Sequence, residues 1–115
     1  MKFGELVFNG QNHFPTMTLA AGTLVGDAVA HTGAATAGRG ADGDPLLGKV
    51  LTSEADGVGA VALEGAGFTD IATVGTLPLG YQTLVVDGAG KAKVGAGGTR
   101  VLVNIATNGL ANIKL

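Results

Sequence analysis

The stretch from Gly80 to Ile105, GYQTLVVDGAGKAKVGAGGTRVLVNI, contains three apolar runs separated by two glycine-rich turns. Asp87-Gly88 begins the first turn, where aspartate and glycine accept the positive φ angles that a tight hairpin needs. The last run has the two-residue period of a strand with two different faces. One predicted face carries Val101, Val103 and Ile105, and the other carries Arg100, Leu102 and Asn104. The stretch therefore predicts a β-meander around which the rest of the chain packs.

The remaining sequence predicts further short strands. Asn-Gly or Asp-Gly pairs lie directly between apolar runs at positions 56–57, 87–88 and 108–109, which is the strongest short-range signal for a hairpin. Other strands are predicted over residues 16–20, 23–30, 45–53, 58–64, 68–74 and 110–115, the last with Ala111, Ile113 and Leu115 inward. A sustained helical period is missing. The predicted fold is all-β, a small β-barrel or two-sheet sandwich with a hairpin meander.

Two segments do not fit this strand pattern. Residues 31–44, HTGAATAGRGADGD, are low in complexity and predict an exposed flexible loop, which we expect to become ordered only when a partner binds. Lys2 to Phe8 has apolar groups on both faces of an extended chain, so it is either a docked strand or a partner-binding arm. The predicted organisation is an N-terminal extended arm over residues 1–15 and a single β-rich domain over residues 16–115.

Composition restricts the class of protein. The chain has 115 residues with 21 glycines and 4% aromatic residues, so its core is built from small side chains while many glycines must be ordered. Such a domain is expected to gain stability from oligomerisation or from a partner surface; an unfolding midpoint independent of protein concentration would argue against this. The net charge is −2 and the basic residues are scattered, which argues against nucleic-acid binding.

Targeting signals and disulfides are also unsupported by the sequence. The N-terminus lacks the apolar run of a signal peptide, no stretch is apolar enough to predict a membrane span, and there is no cysteine. The expected place of synthesis is the cytoplasm.

Residues that could carry chemistry do not form a convincing catalytic or metal-binding pattern. His13 and His31 with Asp27 or Asp44 would be the minimum for a metal site, but nothing in their spacing requires one. Ser53 lacks a nucleophile motif, and the glycine-rich run at 57–62 lacks the helix and acidic residue of a dinucleotide site. We therefore expect no enzyme activity, no cofactor and no metal.

The order and texture of several segments resemble small capsid decoration proteins of tailed bacteriophages, also called cement or head-stabilising proteins. The segments are residues 21–29 (AGTLVGDAV), 45–51 (PLLGKVL), 57–62 (GVGAVA), 79–94 (LGYQTLVVDGAGKAKV) and 112–115 (NIKL). The resemblance covers residues 16 to 115. It implies a β-rich structural protein on the outer capsid surface of a virion, where it binds the major capsid protein, bridges neighbouring subunits and resists internal pressure.

The resemblance also implies a homo-oligomer, a trimer in the first instance or else a dimer, with no nucleic acid and no membrane as partners. In several such proteins an N-terminal arm adds to the capsid sheet. The expected capsid-contact residues are Phe3, Leu6, Val7 and Phe8, which match that arm by position and apolar character. Adding a strand would supply main-chain hydrogen bonds, with alternate side chains giving specificity.

Two other functional classes remain open from the sequence. One is a carbohydrate-binding or adhesive β-module on a phage or cell surface, for which Tyr81 and four phenylalanines supply few stacking groups. The other is an enzyme or a carrier domain, for which Lys91 lies near a hairpin tip, although its surroundings do not match a carrier motif.

Overall fold

A computed structural model describes residues 15–115. This part of the chain forms ten β-strands and no helix, so it contains no helix that could cross a membrane. The strands are β1 (Thr16–Leu19), β2 (Ala28–Gly33), β3 (Thr36–Gly38), β4 (Gly48–Val50), β5 (Val58–Ala62), β6 (Phe68–Ala72), β7 (Gly80–Val86), β8 (Ala92–Val94), β9 (Thr99–Thr107) and β10 (Leu110–Lys114). The predicted all-β class, with a small barrel, is confirmed.

The first five strands form a closed barrel in the order β1-β3-β2-β4-β5. It closes because β1 pairs with β5 antiparallel, with Met17 opposite Gly59. The pairing of β1 with β3 is parallel, and the other pairs are antiparallel. Closure leaves the barrel without an unpaired sheet edge. The barrel core is small and consists of Leu19, Val29, Ala37, Val50 and Val61.

The last five strands form a second sheet in the order β6-β10-β9-β7-β8, and all of its pairs are antiparallel. The sheet curls so far that Thr73, just after β6, bridges Ala92 on β8. The inner face of this sheet holds the larger core, whose biggest fully buried side chains include Ile71, Leu84 and Ile113. The meander predicted from residues 80–105 is therefore the centre of this sheet.

Residues of the barrel strands also pack into the core of the second sheet. Along β2, Val29 points into the barrel, whereas Ala28 and Ala30 pack into the core of the second sheet. All three are almost completely buried. Because side chains of a strand alternate, a small residue at every second position lets the two sheets approach closely. The abundance of alanine in the sequence therefore has a packing role at this junction.

Main-chain hydrogen bonds also join the two sheets. The segment before β4 runs beside β7, where Gly43 N donates to Val86 O (2.9 Å), Val86 N to Asp44 O (2.8 Å) and Leu46 N to Leu84 O (3.2 Å). Elsewhere, Ala28 N at the start of β2 donates to Gly90 O in the β7–β8 turn (2.9 Å). Buried backbone groups need such partners, so these bonds fix the relative position of the two sheets.

A buried carboxylate reinforces the same junction. Asp27 is 8% exposed and accepts from Leu24 N (2.7 Å), Arg39 Nε (2.7 Å) and Arg39 Nη2 (3.3 Å). The hydrogen bond to Asp27, and then its charge, raise the pKa of Arg39 above the ordinary arginine value. Gly90 packs directly on Asp27 at a φ of +91°, and a Cβ there would lie 2.5 Å from Asp27 Oδ1. The turn position therefore requires glycine for both conformation and space.

The predicted flexible loop over residues 31–44 is wrong. The segment contains the end of β2 and all of β3, which form an antiparallel hairpin, with Ala35 at a positive φ in the turn. Beyond β3, Arg39 binds Asp27, Asp42 forms an ion pair with Lys93, and Asp44 Oδ2 accepts from Ala41 N. The partners of Arg39 and Asp42 are distant in sequence, which explains why a local low-complexity pattern gave no signal for order.

Three other sequence predictions need correction. Ile105 does not share the face of Val101 and Val103, because the register between β9 and β10 shifts at a β-bulge and Ile105 becomes 59% exposed. The strand predicted over 23–30 begins only at Ala28, after a turn. The strand predicted over 45–53 is limited to Gly48–Val50.

Candidate functional site: the outer face of the second sheet

The outer face of the second sheet is the side of β6, β10, β9 and β7 that points away from the core. The strand register arranges its side chains in rows across the strands. The rows are Phe68–Lys114–Leu102–Tyr81, Asp70–Asn112–Ile105, Ala72–Leu110–Thr107 and the shorter Arg100–Thr83. We use "outer face" for these residues together with the bulge residue Asn104.

Both aromatic side chains of residues 15–115 lie on this face. Phe68 is 59% exposed and Tyr81 is 60% exposed. Aromatic side chains bury more area than any others and usually dominate a core, but neither of these two belongs to a core cluster of residues 15–115. Leaving both in solvent forgoes stabilisation that the fold could have used. Exposed aromatic residues gathered on one face are typical of an interaction surface.

Two large aliphatic side chains are also exposed on the outer face, in the two rows next to the row with the aromatic residues. Ile105 and Leu110 are 59% and 48% exposed. They help to line a shallow depression of about 210 Å³, together with Asp70, Thr107, Ala111 and Asn112. The bulge in β9 turns Ile105 outward beside Asn112, so this depression depends on the register shift. The outer face therefore combines the row that contains both aromatic side chains with a nearby depression that is lined in part by apolar side chains.

Polar side chains on the outer face are held in place by one another. The Arg100 guanidinium lies over the Tyr81 ring, 4.9 Å from its centroid, as in a cation–π contact. Asn112 Nδ2 donates to Asp70 Oδ1 (3.0 Å), and Asn104 Nδ2 donates to Asn112 Oδ1 (3.1 Å). These contacts restrict side-chain rotamers before any partner binds, which lowers the entropy lost on association.

A second concavity lies where the barrel meets the second sheet. Its volume is about 410 Å³, and its lining is Ala30, His31, Asp44, Pro45, Leu46, Leu47 and Thr99. The hydroxyl of Thr99 donates to Leu46 O (2.5 Å), and the Asp44 carboxylate accepts from Ala41 N (2.9 Å). Two of its polar groups therefore already form hydrogen bonds within the protein. The remaining lining of the concavity is mainly apolar, and it includes the exposed His31.

The residues considered for metal binding do not converge. His13 lies outside the described residues, His31 is exposed, and Asp27 is bound to Arg39. No group of three or more His, Asp or Glu side chains within residues 15–115 is placed to hold a metal ion.

Other candidate residues lie in ordinary structural positions. Ser53 is exposed in the β4–β5 connection, and Lys91 is exposed after the β7–β8 turn. Residues 57–62 form a turn and strand β5 rather than a nucleotide-binding loop. The expected capsid-contact residues Phe3, Leu6, Val7 and Phe8 lie outside the described part of the chain.

The outer face was not predicted from sequence, although parts of its signal were present. Phe68 and Tyr81 lie at the starts of predicted strands, but the local pattern does not say which face of a strand is buried. The bulge that exposes Ile105 leaves no local signature in β9. Comparison with known proteins adds nothing further here, because no protein-family model matches the chain and the search of curated proteins found no similar sequence.

Proposed function

We propose that the protein is a structural capsid decoration protein that binds the outside of a phage head and bridges major capsid subunits. The observation that carries the proposal is the outer face, with two exposed aromatic side chains on a body whose two sheets are fixed together. Such a body is suited to burying surface between other proteins. The order and texture of the sequence segments from 21–29 to 112–115 support the same assignment.

The proposed mechanism is bridging by many weak contacts. A rigid domain can transmit load between two shell subunits because its main-chain hydrogen bonds join the barrel to the second sheet. The contact of a single copy need not be strong, since repetition over a shell and linkage within a homo-oligomer raise the effective concentration of each contact. In this proposal Phe3, Leu6, Val7 and Phe8 supply a further contact from the N-terminal arm.

The direct test is co-sedimentation of the purified protein with expanded, undecorated heads of the phage that encodes it. We expect saturable binding at a fixed number of copies per major capsid subunit. Absence of binding to intact expanded heads would contradict the proposal.

A deletion of residues 1–14 tests the role of the arm in the same assay. We expect the shortened protein to keep its strand structure by circular dichroism and to lose head binding. Unchanged occupancy of the heads would remove Phe3, Leu6, Val7 and Phe8 from the proposed contact.

The alternative is a carbohydrate-binding or adhesive module, which the exposed Tyr81 and Phe68 favour. Two features of the outer face weaken it. Arg100 covers one side of the Tyr81 ring, and the aliphatic Ile105 and Leu110 offer nothing for hydroxyl recognition. A glycan array tests this alternative, and binding there together with no binding to heads would replace the capsid proposal.

A further inference from the structure

We propose that the outer face of the second sheet is the surface that docks on the shell, against a protein patch that combines apolar side chains with carboxylates. The inference rests on the proposed function and deepens it, since it states which side of the domain faces the partner.

The side-chain types favour a protein partner. Tyrosine and arginine are enriched among the residues that dominate protein interfaces, and Tyr81 and Arg100 form a stacked pair on the outer face. Around them lie Phe68 and Ile105, each 59% exposed. The hydrogen bonds from Asp70 through Asn112 to Asn104 cross the middle of the outer face and hold these polar groups in a fixed orientation. Apolar contact area with hydrogen-bonding groups distributed in it is typical of a protein–protein contact.

The charge of the outer face favours carboxylates on the partner. Its rows contain two cations, Arg100 and Lys114, and one carboxylate, Asp70, so the face has a net charge of +1 whereas the whole chain has −2. Lys114 lies in the same row as Phe68 and Leu102, between the two aromatic residues. Two copies facing each other would bring like net charges together. A surface with surplus carboxylates is the complementary partner.

The size of the outer face argues against a stable contact with a second copy in solution. Four strands about 4.8 Å apart, and three rows roughly 7 Å apart, give a footprint on the order of 400 Å². A standard stable interface needs about 800 Å² from each partner. One such face is therefore too small to hold two free copies together, but it suffices where copies bind a repeating lattice in large numbers.

The experiment measures binding of full-length variants to expanded, undecorated heads. We expect Tyr81→Ala and Phe68→Ala each to weaken binding by about 30-fold, as for aromatic residues that anchor an interface. The matched control is Leu24→Ser, which removes an equally exposed apolar side chain (61%) from the β1–β2 turn of the barrel. Its binding should stay within about twofold of the wild type, as expected for a residue outside the contact.

A charge reversal gives a second readout that does not depend on removing an aromatic side chain. Lys114→Glu should weaken binding and reduce its dependence on salt, because it replaces the positive charge between Phe68 and Tyr81 with a negative one. Lys91→Glu is the control, since Lys91 is exposed on the β7–β8 connection and away from the outer face. Thermal unfolding of each variant shows that the domain is still folded.

Each outcome of this experiment has a defined meaning. If the wild type does not bind heads, the proposed function fails and takes this inference with it. If the wild type and Leu24→Ser bind, and Tyr81→Ala and Phe68→Ala bind equally well, only this inference is overturned. A change in the sedimentation coefficient of the free Tyr81→Ala protein would assign the face to a second copy instead. Loss of glycan-array binding in Tyr81→Ala with normal head binding would assign it to a sugar.

Discussion

The barrel and the second sheet each contain five strands, but they use them differently. The barrel closes on a core of five small or medium side chains, and none of its strands carries a large exposed apolar residue. The second sheet has longer strands, a core with Ile71, Leu84 and Ile113, and a second apolar surface that faces solvent. The barrel therefore buries nearly all of its large apolar side chains, whereas the second sheet buries one apolar face and exposes the other.

The difference follows from side-chain size. Short barrel strands with glycine and alanine can approach until backbone meets backbone, as where Gly48 lies against the carbonyl of Ala62. Little apolar area is then left over on the barrel. The strands of the second sheet carry large residues on both faces, and only one face can be covered by the core. An exposed apolar face is the candidate binding surface of the proposed function.

The largest expected effect on stability comes from forcing two paired strands of the barrel apart. A Cβ at Gly48 would collide with the main chain of Ala62 on the paired strand β5, and backbone cannot move aside as a flexible side chain can. We expect Gly48→Ala to lower the free energy of unfolding by at least about 4 kcal/mol, which is exceptional for one methyl group. The measurement is urea unfolding followed by circular dichroism.

Gly33→Ala is the matched control, since a Cβ there meets nothing closer than 3.8 Å. It should change the free energy of unfolding by no more than about 0.5 kcal/mol. Equal stability of the two alanine variants would show that the barrel is not packed as tightly as described.

The next effect compares the two cores. Leu84→Ala in the second sheet should cost about 2–5 kcal/mol, as for other buried leucines. Val50→Ala in the barrel removes two buried carbons and should cost about 2 kcal/mol. Both variants should shift one cooperative urea transition, because backbone hydrogen bonds from residues 43–46 to β7 connect the sheets. Two separate transitions, each sensitive to only one variant, would mean that the barrel and the sheet unfold independently.

A smaller effect is expected at the junction between the two regions. Asp27→Ala leaves Leu24 N and the Arg39 guanidinium without their acceptor, and should cost about 1–3 kcal/mol. Asp42→Ala breaks the ion pair between Asp42 and Lys93. Because Asp42 is more exposed than Asp27, this change should lower the free energy of unfolding by less than about 1 kcal/mol. Thermal denaturation of the two variants in parallel gives the comparison. A larger loss of stability for Asp42→Ala than for Asp27→Ala would contradict the role of Asp27 in holding the two regions together.

The smallest effect separates the two faces of the second sheet. Ile105→Thr on the outer face should change the free energy of unfolding by no more than about 0.5 kcal/mol, although it removes a large apolar group. Val103→Thr, two residues away on the inner face, buries a hydroxyl and should cost about 1–3 kcal/mol. A strong loss for Ile105→Thr would place its side chain in the core and remove the bulge from β9.

Much of the local structure could be predicted from the sequence. The Asp-Gly and Asn-Gly pairs at 56–57, 87–88 and 108–109 mark turns between paired strands, as predicted. These signals work because a tight turn needs particular backbone angles that few residues accept. The inward positions of Ala111, Ile113 and Leu115 were also predicted and are confirmed by their burial. The all-β class follows from the same local features.

The candidate site could not be predicted in the same way. Phe68 and Tyr81 share one face only because β10 and β9 lie between their strands, and the sheet order is a matter of long-range pairing. The resemblance directed attention to Phe3, Leu6, Val7 and Phe8, whose contact with a capsid stays a prediction. The sequence shows which residues are present, but not that their side chains lie on one surface.

The sequence by itself determined most of the strands and turns and the scarcity of large core residues, since these depend on backbone preference and side-chain size. The tertiary structure alone decided that residues 31–44 are ordered, because Asp27 and Arg39 meet across 12 positions in sequence. It also decided that Ile105 faces outward, because a bulge is set by the partner strand. Contacts between distant residues give no local pattern, and it is these contacts that choose which apolar face the protein buries and which it leaves exposed.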